Sequence, residues 1–150
     1  AFEKYDGGAA LVLVGDGPLR PQVEAFVRDR SLKNVRLAGF QNQEELPRFY
    51  AAADLFVLPS EYEPWGLVLN EAMCFGLPVV TTHGVAASAD LVREGENGFV
   101  IEPGDTAELE KALGNLIREP ERRREMGLRS CGSANPWRSA CRTQRPQMTH

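Results

Sequence analysis

The sequence predicts an α/β fold of Rossmann-like type, a doubly wound parallel sheet with helices on both faces. Three observations predict it. Short stretches rich in apolar residues, many of them β-branched, recur around residues 10–14, 35–37, 55–58, 79–81 and 99–101, with the length expected of strands. The segments between them carry apolar residues at helical spacing. Glycine, proline or aspartate punctuates most of the changeovers. Strand and helix in strict alternation give parallel strands joined by right-handed crossovers.

Residues 1–5 read as the end of a helix, and Asp6, Gly7 and Gly8 as a turn. Residues 9–14 form an unbroken apolar run, predicted to be a strand buried on both faces. Gly15-Asp16-Gly17-Pro18 turns into a helix with Leu19, Val23, Phe26 and Val27 on one side. The Gly15-x-Gly17 pair invites a dinucleotide-binding assignment. The third glycine of that fingerprint is missing, however, and no acid ends the next strand, so a plain tight turn accounts for it. Residues 34–38 form a second strand that ends at Gly39 and Phe40. Residues 43–53 are predicted helical, with Leu46, Phe49 and Tyr50 inward and Pro47 in the first turn.

The strand at 55–58 stops at Pro59, which has no N–H for a ladder. A loop with two acids and two aromatics follows, and Gly66 opens an apolar helix running to Phe75. Gly76 ends it, with Pro78 just beyond. The next strand, 79–81, leads to Thr82-His83-Gly84, where a lone loop histidine is expected to be structural or solvated. Gly95 to Gly98 is a turn before the strand at 99–101. After the Pro103-Gly104 turn, Asp105-Thr106-Ala107-Glu108 fits a capping box, and its helix aligns Leu109, Ala112, Leu113, Leu116 and Ile117. Pro120 starts a further, arginine-rich helix over 121–126, a solvated face first and a docking surface second.

The 150 residues suffice for one domain with a real core, and 43% hydrophobic with 25% charged content places the chain among ordinary globular proteins. A net charge of −4 argues against a nucleic-acid-binding face. All 21 acids precede residue 130, whereas residues 130–150 hold Arg138, Arg142 and Arg145, no acid and no periodicity. Residues 1–129 are therefore expected to be one partial domain, and 130–150 a disordered or non-native tail, such as the product of a shifted reading frame. The apolar runs are too short to cross a membrane as a helix, and no signal peptide is visible. Cys74, Cys131 and Cys141 are an odd number at no metal-ligand spacing, with Cys74 expected to be a buried thiol. The expected compartment is the cytoplasm, with the inner face of a membrane as the alternative. No cofactor and no metal ion is expected.

The stretch from Glu63 to Glu71 carries the chemistry. The N–H groups of Gly66, Leu67 and Val68 fall in the first turn of their helix, where donors lack internal partners and the dipole is positive, a place for a phosphate. Gly66 lets an anion approach the backbone. Glu71 lies one turn on, with its Cβ leaning back toward the helix start. A carboxylate repels phosphate but accepts well from a sugar diol. Glu63, in the loop, is free to reach a second polyol. Two glutamates at this spacing are also common on solvated surfaces. What favours a site is the setting: strand, Pro, acidic loop, Gly, helix, Gly-x-Pro, strand. A sugar-containing phosphate ester, such as a nucleotide sugar, suits it.

This segment, an E-x7-E pair with Gly66-Leu67-Val68 inside it, followed by Ala72-Met73 and Gly76-Leu77-Pro78-Val79-Val80, resembles the signature of the family 4 retaining glycosyltransferases of the GT-B fold. The resemblance runs from about residue 1 to 127 and includes Val14-Gly15-Asp16-Gly17-Pro18, Ala53-Asp54, Leu58-Pro59-Ser60 and Gly95-Glu96-Asn97-Gly98. It implies an incomplete C-terminal, donor-binding half of such an enzyme, which moves a sugar from a nucleotide diphosphate sugar with retention of configuration. The implied roles are Glu63 as the catalytic residue at the donor sugar, Glu71 at the ribose hydroxyls, and Gly66, Leu67 and Val68 at the diphosphate. Gly15 would line the donor pocket. Phe40 either stacks on the base or packs in the core. Asp90 matches an acid of the family, although Ala87-Ser88-Ala89 departs from the usual spacing. The resemblance further implies one more strand, between those at 10–14 and 55–58, bringing an Arg and a Lys that neutralise the leaving diphosphate, and an N-terminal acceptor-binding domain. None of these has a counterpart in this chain. The implied partners are a nucleotide diphosphate sugar and an acceptor that is a sugar, a lipid or a small molecule, with no nucleic acid. A catalytically inactive nucleotide-sugar-binding or regulatory module is the alternative. A receiver domain would need acids at strand ends that here are Gly15, Gly39, Pro59 and Thr82, and an epimerase of the same fold usually lacks the pattern from Gly66 to Met73.

Overall fold

Among the described residues the strands pair in parallel in two sheets, β1-β2 and β3-β4-β5. The structure, a computed structural model, describes residues 1–5 and 8–133. The chain divides into two units, Ala1–Pro47 and Arg48–His150. Asp6 and Gly7, expected as a turn, lie outside the described residues.

In the first unit a single 3-10 turn, Phe2–Lys4, stands where a helix end is expected. Strand β1 (Leu11–Val14) pairs with β2 (Val35–Gly39), Leu11 opposite Val35, with a bulge between Leu13 and Val14. Helix α1 (Arg20–Asp29) joins them. Asn34 braces the entry to β2, its Nδ2 donating to the carbonyls of Tyr5 at 3.3 Å and Ala9 at 3.1 Å. The expectation that β1 is buried on both faces fails. Val12, Leu13 and Val14 are 46%, 37% and 39% exposed. Among the described residues β1 pairs with β2 alone, and α1 buries no residue. An apolar run says that a strand is fit for burial; whether it is buried depends on what lies against it.

The division falls within α2 (Leu46–Ala52), which starts later than expected because Asn42 holds a turn ahead of it. The Asn42 side chain accepts the Glu45 N–H at 2.9 Å, and its carbonyl accepts the Leu46 N–H at 3.1 Å. Strands β3 (Phe56–Leu58), β4 (Val79–Thr82) and β5 (Gly98–Ile101) form the sheet, with β4 central and wholly buried. Alternation along β4 divides the core. Val79 packs with Leu69 and Met73 of α3 (Leu67–Cys74) and with Val85 and Ala87. Val80 packs with Ala112 and Leu116 of α5 (Thr106–Arg118) and Met126 of α6 (Pro120–Ser133). Each fully buried Leu, Met or Val contributes about 1.5–3 kcal/mol. A short helix, α4 (Ser88–Leu91), lies between β4 and β5.

Asp105 caps α5 as expected, its carboxylate accepting the Glu108 N–H at 2.9 Å. Helix α6 runs beyond the expected break at residue 130. Ser130 is buried and its hydroxyl donates to the Asn97 carbonyl at 2.9 Å. The Asn97 amide donates to the carbonyl of Leu91 at 3.0 Å and to Ser133 Oγ at 3.1 Å, while its Oδ1 accepts the Arg93 N–H at 2.8 Å. These polar ties carry no apolar period, so the periodicity ends before the helix does. The rest of the expected tail, 134–150, lies outside the described residues. Among the described residues no helix is long and apolar enough to cross a membrane.

Candidate functional site

Two loops at the C-terminal ends of β3 and β4 build the site, and they are zipped to each other through their backbones. Glu63 pairs with Val85 in an isolated parallel bridge. The Glu63 N–H donates to the Gly84 carbonyl at 2.8 Å, the Glu63 carbonyl accepts from Ala86 at 3.1 Å, and the Trp65 carbonyl accepts from Ala87 at 2.9 Å. The Thr81 hydroxyl donates to the Leu58 carbonyl at 3.0 Å, and the Thr82 hydroxyl to that of Ser60. Gly84 permits the approach: a Cβ there would lie 2.2 Å from the Glu61 carbonyl oxygen. Sequence reasoning missed this second loop as a support. Its only signal was the glycine after His83. His83 itself is exposed, with Nε2 at 3.7 Å from Glu102.

Gly66 is the N-cap of α3, at φ 90° and ψ 53°. That left-handed conformation is costly for any residue with a Cβ. A Cβ would also meet Val85 Cγ1 at 2.6 Å and Glu63 Cγ at 3.5 Å. These are two further reasons for glycine beside the close approach of an anion expected from sequence. Gly66 is buried, and its missing side chain makes room for Val85. Leu69 N–H is bonded to the Gly66 carbonyl at 2.8 Å, while the amides of Leu67 and Val68 precede it in the first turn, Leu67 exposed and Val68 half-buried. Unbonded first-turn amides of this kind attract anions.

Glu63 is half-buried, with Oε1 at 3.5 Å from the Trp65 N–H. Glu71, also half-buried, accepts a hydrogen bond on Oε2 from the Tyr50 hydroxyl at 2.9 Å. Tyr50 comes from α2, expected to face inward but not to touch this acid. Burial first, and the Glu71 bond second, push the Tyr50 phenol well above its ordinary pKa. Burial, then the Glu71 charge, also raise the Cys74 thiol, which is half-buried rather than fully enclosed.

The structure thus brings Glu63, Gly66, Leu67, Val68 and Glu71 to one loop–helix junction of the second unit. Gly15 and Phe40 belong to the first unit, after β1 and β2. The Gly15 N–H donates to the Gly39 carbonyl at 2.9 Å, at φ 129°. Phe40 is 76% exposed, not a core aromatic, and with residues 41–44 and Leu46 it lines an open depression. Asp16, beside Gly15, accepts from the Gly17 N–H and from Arg20, which together hold its carboxyl below the usual range. Asp90 is exposed on α4. Among the described residues no cluster of His, Cys, Asp or Glu is arranged to hold a metal ion.

Parallel strands, crossover helices and a loop–helix junction beyond the strand ends make a mixed α/β fold, and it matches part of the GT-B glycosyltransferase structures. The chain belongs to the family described as glycosyl transferases group 1, whose model matches residues 1–130. It is 37% identical over 117 residues to the alpha-D-kanosaminyltransferase of Streptomyces kanamyceticus, covering 77% of this chain and 30% of that enzyme. HepE of Anabaena, solved in complex with UDP, superposes with a TM-score of 0.77 at 27% identity, over 89% of this chain and 38% of that one. The C-terminal domain of LpcC, a group 1 family protein of Francisella tularensis, superposes with a TM-score of 0.75 at 25% identity, over 82% of this chain and 66% of that domain. The chain therefore spans about a third of the length of the whole proteins it resembles.

Proposed function

We propose that this chain is the donor-nucleotide-binding part of a family 4 glycosyltransferase that transfers a sugar from a nucleotide diphosphate sugar with retention of configuration. The observation that carries the proposal is the junction at Gly66, where the turn into α3 sets the Glu63 side chain against the head of a helix that bears Glu71 one turn on. The likeness to a solved C-terminal domain of the family supports assigning the chain to that half. In this reading the amides of Leu67 and Val68 and the α3 dipole hold the diphosphate, and their hold tightens as negative charge develops on the leaving group. Glu71 accepts from the ribose hydroxyls. Glu63 accepts from the donor sugar and orients it for transfer. The acceptor is a sugar, lipid or small molecule bound by an N-terminal domain.

The test is a titration of the intact polypeptide with uridine, guanosine and adenosine diphosphates, beginning with UDP because the HepE neighbour was solved with it. Glu71→Ala is expected to weaken binding about tenfold, the loss of a charged hydrogen-bond acceptor. Glu63→Ala keeps nucleotide affinity and lowers sugar transfer about a hundredfold. Unchanged affinity in Glu71→Ala overturns the ribose assignment. Nucleotide binding with no transfer to any acceptor would favour the inactive binding module instead.

A further inference from the structure

Tyr50 is 7% exposed, the buried side chain of α2. Its ring meets Phe56 at 5.9 Å edge-on and Phe75 at 5.4 Å tilted. A phenylalanine would make the same ring contacts and would avoid burying a hydroxyl, which costs free energy unless it is hydrogen-bonded. What the hydroxyl adds is its bond to Glu71 Oε2 at 2.9 Å. A carboxylate has two oxygens with acceptor capacity on each. The Tyr50 bond occupies Oε2, restricts rotation of the Glu71 side chain, and leaves Oε1 to accept from a ligand. The ring in turn is clamped by residues of β3 and of the α3 C-cap, so the hydroxyl is a fixed post and not a mobile one. The raised phenol pKa keeps the proton on Tyr50, as a donor to Glu71 must.

We propose that Tyr50 is a positioning residue for donor binding: by pinning Oε2 it aims Oε1 of Glu71 at the ribose diol, and so sets the preference for ribonucleotides over their deoxy analogues. This rests on the ribose role proposed above for Glu71. A residue that merely packs would weaken all nucleotides alike. One that orients Glu71 weakens only ligands that carry the diol.

The experiment compares UDP with 2′,3′-dideoxyuridine diphosphate by calorimetric titration of the intact protein, with the guanosine and adenosine pairs if uridine does not bind. Wild type is expected to favour the ribonucleotide about tenfold, the worth of one charged hydrogen bond. Tyr50→Phe should weaken UDP about fivefold and leave the dideoxy analogue unchanged. Combined with Glu71→Ala it should change nothing further. If Tyr50→Phe keeps the wild-type ratio, weakening both analogues equally or neither, while Glu71→Ala collapses it, the positioning role is wrong and the ribose role of Glu71 stands. If Glu71→Ala also keeps the ratio, the ribose role falls and takes this inference with it. Glu71→Gln, which keeps the shape of the side chain, replaces the alanine variant should that one not fold.

Discussion

Gly66 shows how much a single residue decides. Its left-handed backbone and the 2.6 Å approach to Val85 Cγ1 are two separate demands, and both exclude a side chain. Gly66→Ala is expected to destabilise by about 2–4 kcal/mol, from the αL cost together with overpacking. Urea denaturation measures it. Measured against Val85→Ala alone, Gly66→Ala should then cost only the conformational part, about 1–2 kcal/mol. No cost in that background would mean that the backbone conformation costs little, and that crowding alone selects glycine. Tyr50 and Glu71 act at the same scale, 21 positions apart in sequence and one hydrogen bond apart in space.

Helices α3 and α6 show what elements contribute. α3 is eight residues long, too short to be stable alone. It is held because Leu69, Ala72 and Met73 are buried under the sheet, and that burial keeps its first turn at the loop junction. α6 is polar and takes its place differently, through Met126 in the core and through Ser130 and Ser133 on Asn97. Asn97→Ala removes an amide and leaves the Arg93 N–H and the Leu91 carbonyl without their partner. The expected cost is about 1–3 kcal/mol, since the two groups are part-buried and keep some access to water. The unfolding midpoint in urea reports it. Nucleotide affinity measured well below the midpoint should not change, because Asn97 lies in the turn before β5 and touches neither glutamate. A loss of affinity without a loss of stability would contradict that separation.

For the whole molecule the consequential feature is the first unit. Val12, Leu13 and Val14 of β1, with Leu19 and Phe26, present exposed apolar surface beside a strand that has one partner among the described residues. Exposed strands of this kind pair with other chains. The 150-residue chain made alone is therefore expected to self-associate and to bind a hydrophobic dye. Val12→Lys with Val14→Lys should reduce both, read by sedimentation and by dye fluorescence. A monomeric, dye-silent chain would show that this surface is covered from elsewhere.

The order of strands and helices was legible in the sequence because local patterns determine it. β-Branched runs became β1 to β5, Asp105 capped α5, and Gly76 closed α3, each through interactions within a few residues. The junction from Glu63 to Glu71 was legible for the same reason, since a strand end, a turn glycine and a helix start are local features. Other points depended on residues far apart in the chain. The bridge from Glu63 to Val85, the hydroxyl of Tyr50 on Glu71, the tie of Ser130 to Asn97 and the exposure of β1 each depend on what the chain brings alongside. Periodicity predicts which face of an element is fit for burial. Only tertiary packing decides which neighbour covers that face, and which polar atom across it a buried hydroxyl or amide will meet.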